Sequence, residues 1–204
     1  KFLGFSTDLE LTGWVIAQNF FAGLFVLLSD ISTTFSRNNL RRFLKFLVVA
    51  LLITLATYFF DKSSVILFGI IHCLATSVLL YVLLFQKSKP SKRIAWGSLI
   101  LSISFFMPSI RKALALKTNW LTPLGLPGPA FASFDYFPLI PWFGVFLIGT
   151  ALGQWLYAEK KSLIRQPLPE TFINWCGRYS LWIYLLHQPI IMAILYLLGY
   201  VTLF

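Results

Sequence analysis

Six long apolar runs, parted by short basic stretches, constrain this chain more than any other feature of it. They lie at about Leu11 to Leu28, Phe43 to Phe60, Ser64 to Phe85, Ile94 to Ile110, Phe137 to Tyr157, and Asn174 to the C-terminus. A hydrocarbon core about 30 Å thick needs roughly 20 helical residues to cross it. Within lipid every backbone polar group must be satisfied internally, which leaves helices or closed barrels. Of the 204 residues 58% are hydrophobic and 12% charged, which excludes an ordinary soluble domain. The predicted fold is therefore an all-α integral membrane protein of about six transmembrane helices in one bundle. Residues 1–204 are read as a single transmembrane helical domain.

The punctuation between the runs supports this reading. The connection from Arg111 to Tyr136 carries Pro123, Pro127, Pro129, Gly125 and Gly128, which argues for an ordered or re-entrant loop between helices four and five. Pro108 is expected to kink or stop segment four near its end. No internal repeat or domain linker is visible. The first ten residues lack the basic-then-apolar order of a cleavable signal peptide, and the chain begins at Lys1 rather than Met, so an upstream part is expected.

The net charge of +10 would suggest nucleic acid in a soluble protein. Here the basic residues sit in loops, and nucleic acid is not an expected partner. Loops after segments one, three and five carry Arg37, Arg41, Arg42, Lys45, Lys87, Lys89, Lys92, Arg93, Lys160, Lys161, Arg165 and Arg178. The other side has Lys1, Lys62, Arg111, Lys112 and Lys117. That asymmetry places the first set in the cytoplasm and both termini of this stretch outside. Cys73 and Cys176 stand alone in apolar runs and form no metal-ligand spacing, so no metal is expected.

Within this apolar background, the two histidines mark a candidate site. Ionisable side chains inside a membrane are costly and generally face the bundle interior or a cavity. His72 stands eight residues into segment three, a depth of roughly 12 Å at about 1.5 Å per helical residue. His187 lies in segment six beside Gln188, at roughly similar depth, and Gln18 and Asn19 fall at that level in segment one. One polar layer in the outer half of the membrane is the expectation. The plainer reading is interhelical hydrogen bonding worth on the order of 1 kcal/mol per contact.

Other residues extend the pattern. Asp135 sits just outside segment five, in reach of a cavity or an imidazole. Tyr136 and Trp142 suit an interfacial aromatic belt as well as a site. Pro189 frees the Leu185 carbonyl beside His187 and Gln188. Arg178, about one turn into segment six, is read as snorkelling to headgroups or as contacting a phosphate. Gly149 and Gly153, four residues apart, are read as a helix-packing face.

The runs Phe68-Gly69-Ile70-Ile71-His72-Cys73, Asp135 to Gly144, and Gly177 to Pro189 resemble bacterial members of the heparan-α-glucosaminide N-acetyltransferase-like membrane proteins. The resemblance spans about Gly13 to Tyr200. It implies a multi-pass protein of the bacterial cytoplasmic membrane that moves an acyl group, expected to be acetyl, from acetyl-CoA to a sugar-like acceptor across or at the bilayer. Acetyl-CoA is thus a co-substrate and no bound cofactor is expected. Thioester transfer needs a base, which suits a near-neutral histidine. His72 is the candidate base or its partner, His187 with Gln188 would orient the acceptor or stabilise the oxyanion, and Asp135 would set an imidazole tautomer. Gln18, Asn19, Trp142 and Arg178 are candidate substrate contacts, Arg178 acting with the loops around Arg41 and Lys92 on the phosphates of CoA.

Three features depart from the family pattern. A first helix carrying an Arg-Gly motif and a histidine is missing, Ser29-Asp30-Ile31-Ser32 stands where Ser-Gly-Ile-Ser is usual, and Phe43 replaces a glycine. The alternative is therefore a non-catalytic membrane subunit or scaffold that keeps the fold, its aromatic exterior packing on other subunits, a second copy or lipid. A transporter is disfavoured by the lack of acidic residues within the spans and of an inverted repeat.

Overall fold

The computed structural model describes residues 12–60, 62, 65–115, 118–129, 131–133, 135–159 and 171–179, with isolated positions 182, 183, 186, 190, 194 and 197–199. It divides into two compact units, Gln18–Leu163 and the paired terminal stretches Lys1–Ala17 and Ile164–Phe204. The helices in chain order are α1 (Thr12–Thr33), α2 (Asn39–Phe60), α3 (Ile70–Leu80), α4 (Pro90–Ser104), α5 (Met107–Leu114), α6 (Leu139–Leu156) and α7 (Phe172–Arg178). A π-helical turn, Tyr81–Phe85, continues α3, and a 3-10 turn spans Thr122–Leu124. Among the described residues the only extended pairing is a parallel bridge between Phe68 and Tyr136. The all-helical expectation stands.

Two helices are long and apolar enough to cross a membrane, Asn39–Phe59 of α2 and Leu139–Leu156 of α6. A third span results if α4 and α5, bent by 56° to each other, count as one. The bend falls at Phe105 and Phe106, immediately before α5 with Pro108 in its first turn, as the sequence leads one to expect. On α2, Leu44, Val48, Leu51, Leu55 and Phe59 are exposed along one face. Such a contiguous apolar stripe is a liability in water and ordinary against lipid tails.

Segment three differs most from its expected form. Its helix begins at Ile70, and the residues before it run extended, Phe68 accepting the Phe137 N–H at 3.0 Å. His72 consequently lies in the first turn of α3, not deep within a helix. Segment one runs on to Thr33 and segment two starts earlier, at Asn39. Apolarity marks where lipid-facing helix is tolerated, whereas the ends follow hydrogen bonding across the fold.

The core of the Gln18–Leu163 unit is made by α4 against α6 and α2 against α3. Backbones approach closely where α4 and α6 cross. A Cβ on Gly97 would stand 2.8 Å from the Gly144 carbonyl oxygen, and one on Gly144 would stand 2.8 Å from that of Gly97. Gly149 and Gly153 do the same for α1, lying against Leu27, Asp30, Ile31 and Thr34, so their reading as a packing face holds. The α6 glycine at 149 also makes room for Asp30, whose Cβ is 2.8 Å from where a Gly149 Cβ would stand.

In the terminal unit, α7 presents a ladder of rings. Phe172 stacks on Trp175 at 6.1 Å and Trp175 meets Tyr179 at 5.1 Å.

The glycine crossing yields a direct expectation. Alanine normally favours a helix over glycine by about 1 kcal/mol. Gly144→Ala should nevertheless lower stability by about 1–3 kcal/mol, because the obstacle is a backbone carbonyl that moves only with its helix. Gly13→Ala should be neutral or stabilising, since nothing among the described residues lies within 4 Å of its Cβ position. Detergent thermal unfolding of the two variants measures the contrast.

Candidate functional site

A helix beginning inside a protein must satisfy its first backbone N–H groups. At α3 the helix's own third residue and one sequence-distant carboxylate do so. His72, the third residue of the helix, turns back so that its Nδ1 accepts the Gly69 N–H at 3.3 Å. Asp135, from the stretch before α6, accepts the Ile70 N–H through Oδ2 at 3.0 Å. The carboxylate occupies the space a side chain on Gly69 would need, which is why no Cβ fits there. A carboxylate at a helix start also meets the positive end of the macrodipole.

The same contacts define the protonation of His72. A neutral imidazole has one donor and one acceptor nitrogen. The Gly69 N–H only donates, so Nδ1 accepts and the proton resides on Nε2. Nε2 lies 2.9 Å from Thr54 Oγ1, and the Thr54 hydroxyl donates to the Ile66 carbonyl at 2.7 Å. The chain of donors is thus closed: Gly69 to His72, His72 to Thr54, Thr54 to Ile66. Thr57 accepts the Ile66 N–H at 3.1 Å and holds the same strand of backbone. The sequence named His72 and Asp135 but not their link through Thr54, Gly69 and Ile70.

Beside this cluster lies a cavity of about 330 Å³ lined by Leu67, Phe68, Asn119, Trp120, Thr122 and Pro123, with Thr118. Phe68 joins it to the histidine, the two rings being 6.1 Å apart. Asn119 spends its carbonyl oxygen on the Gly128 N–H at 2.9 Å, which presents its amide NH₂ as a donor. Thr122 is 3% exposed, and among the described residues its hydroxyl has no partner. The Tyr136 hydroxyl donates to the Thr122 carbonyl at 2.9 Å, and burial pushes that phenol up to about 12 against the opposing pull of Arg111. Sequence reading passed over Asn119, Trp120 and Thr122, which sit in a loop without periodicity.

Asn19 is exposed on α1, where Gln18 also falls; Gln18's side chain is outside the described residues, as are His187, Gln188 and Pro189. Trp142 packs on Phe137 at 5.1 Å and lies 3.6 Å from the Cβ position of Gly23, so it fills a helix contact in α1–α6. Arg178 closes α7 and is exposed.

Two loop cations read as topology signals turn inward instead. Arg93, 1% exposed, donates to the Thr150 carbonyl at 3.2 Å, to Gln154 Oε1, and to Tyr81 Oη at 3.4 Å. Arg42 donates to the Ser29 carbonyl at 3.1 Å and to Ser32 Oγ at 2.8 Å, tying the end of α1 to the start of α2. Arg41 and Lys92, beside them in sequence, stay exposed. Among the described residues, no group of three His, Cys, Asp or Glu side chains is arranged to hold a metal ion.

No curated protein and no solved structure matches the chain. A family model does, described as heparan-α-glucosaminide N-acetyltransferase, catalytic, and it covers residues 1–189. With apolar helices and a match over nearly its whole length, this chain belongs to that membrane-associated, acetyltransferase-like family.

Proposed function

We propose that the protein is a multi-pass acyltransferase that moves an acetyl group from acetyl-CoA to a hydroxyl or amine of a sugar-like acceptor. The observation that carries this reading is family membership over residues 1–189. About six spans, with the basic loops in the cytoplasm of a bacterial inner membrane, is the topology that goes with it. Arg178, with exposed Arg41 and Lys92, then meets the phosphates of CoA from the cytoplasmic face.

His72 supplies the base in this scheme. Its Nδ1 holds the lone pair, which accepts the Gly69 N–H in a long bond of 3.3 Å. An acceptor O–H or N–H that replaces this bond delivers its proton to Nδ1 as the acceptor atom attacks the thioester carbonyl. The new C–O or C–N bond forms, the C–S bond breaks, and the imidazolium returns the proton to the departing thiolate. Nε2–H stays on Thr54 throughout, and the Asp135 carboxylate, bonded to the first turn of the same helix, offsets the transient positive charge. The acceptor occupies the 330 Å³ cavity, with Trp120 as stacking face and Asn119 and the Thr122 hydroxyl as hydrogen-bond partners. His187 with Gln188 is assigned to orienting the acceptor or stabilising the oxyanion in this proposal, with Gln18 and Asn19 as further acceptor contacts.

The rival reading, a non-catalytic membrane subunit, draws on the engagement of both His72 ring nitrogens within the fold. His72→Asn separates the two. The amide oxygen of asparagine can still accept the Gly69 N–H but takes up no proton. Per folded protein, turnover of acetyl-CoA should fall about 10²–10⁴-fold, the usual contribution of a general base, with acetyl-CoA binding by calorimetry retained, while the lost bond to Thr54 should lower stability by only about 0.5–1.5 kcal/mol. Full turnover in the variant excludes His72 as the base. Absence of acetyl-CoA binding in the complete wild-type protein favours the subunit.

Gly69→Ala tests the helix start. The added methyl collides with the Asp135 carboxylate and with Ile66 Cγ2 at 2.9 Å. Displacing that cap should lower stability by about 1–2 kcal/mol, and turnover should fall below what the remaining folded fraction accounts for, read by activity per folded protein.

A further inference from the structure

A second, larger cavity of about 630 Å³ opens where α4 bends into α5, against Gly125 and the start of α6. Met107, Pro108, Ile140 and Pro141 give it apolar walls, and Arg111 and Lys112, consecutive in the last turn of α5, give it two cations. Among the described residues no acidic side chain lines it. Basic residues near a helix C-terminus are ordinary by themselves. What sets these apart is that they line a cavity in whose wall, among the described residues, no carboxylate balances them.

The wall is built rather than incidental. Gly125 takes φ 100, a left-handed conformation that favours glycine, and a Cβ there would meet Met107 Cε at 3.1 Å and the Ile140 carbonyl oxygen at 3.3 Å. The bend residues next to the cavity, Phe105 and Phe106, are 82% and 64% exposed. Wholly apolar rings left this bare are a liability in water and ordinary against lipid tails, which sets the basic pocket beside hydrocarbon.

We propose that this cavity binds an anionic amphiphile: a phosphate or carboxylate pairs with Arg111 and Lys112, and an apolar portion lies along Met107, Pro108, Ile140 and Pro141. Phe105 and Phe106 point to an acidic membrane lipid as the source, over a water-soluble anion. The proposal does not depend on acyl transfer.

The test uses the full chain in phosphatidylcholine nanodiscs, titrated with dioctanoyl phosphatidylglycerol, dioctanoyl phosphatidylcholine or inorganic phosphate. Readouts are ligand-induced melting shifts and lipid retained in native mass spectrometry. Phosphatidylglycerol should bind saturably. An Arg111→Gln/Lys112→Gln variant should weaken it about tenfold or more, the scale of one lost charge-assisted hydrogen bond. Lys62→Gln, which removes an exposed cation outside the cavity, should leave it unchanged. Equal binding of both lipids, or undiminished binding by a double variant that melts like wild type without ligand, overturns the proposal. Inorganic phosphate binding as tightly as phosphatidylglycerol overturns the assignment to an amphiphile.

Discussion

The start of α3 is the point on which the rest of the Gln18–Leu163 unit depends. A helix that begins among other helices, rather than in water, leaves N–H groups that only protein can satisfy. His72 and Asp135 satisfy those of Gly69 and Ile70, and Thr54 anchors the imidazole to α2. The arrangement fixes where the helix starts, which tautomer His72 adopts and why position 69 carries no side chain. It also brings the backbone of Phe68 beside that of Tyr136, and so sets the loop that walls the smaller cavity. Structure and candidate chemistry thus share the same few hydrogen bonds.

Away from that turn, the fold is held by close approach and by inward-facing cations. Gly97 and Gly144 let α4 and α6 cross at backbone contact. Without a hydrophobic driving force between helices in lipid, such contact surfaces and interhelical hydrogen bonds carry association. Arg93 supplies the latter, linking the π turn after α3 to α6 through Tyr81, Thr150 and Gln154. Burying a guanidinium is costly, and removing its partners costs more than the pair itself contributes. Asp30 is harder to account for. It is 0% exposed, neither carboxylate oxygen has a hydrogen-bond partner among the described residues, and Gly149 has yielded the space it fills.

The two cavities divide the connection after α4 by chemistry. One is small and lies beside the histidine, with an amide, a hydroxyl and an indole; the other is larger, basic and next to exposed phenylalanines. Tyr136 stands between these features, bonded to the Thr122 carbonyl and within the influence of Arg111. A loop rich in proline and glycine suits this role because its backbone takes shapes that a helix excludes.

Sequence alone determined the helical class, the apolar character of α2 and α6, the bend before Pro108, the packing role of Gly149 and Gly153, and the family. Each rests on a local sum or a local pattern: apolar length, a proline, a spacing of four, or motif runs that stay contiguous. Tertiary structure decided that segment three becomes helix only at Ile70, that His72 caps a helix rather than lying midway along one, and that Arg42 and Arg93 leave their loops for the interior. It also picked Asn119, Trp120 and Thr122 out of an aperiodic loop. The reason is that hydrogen bonds spanning 18 residues between Thr54 and His72, or 65 between Ile70 and Asp135, leave no periodic trace in the chain. They exist only once the helices have packed.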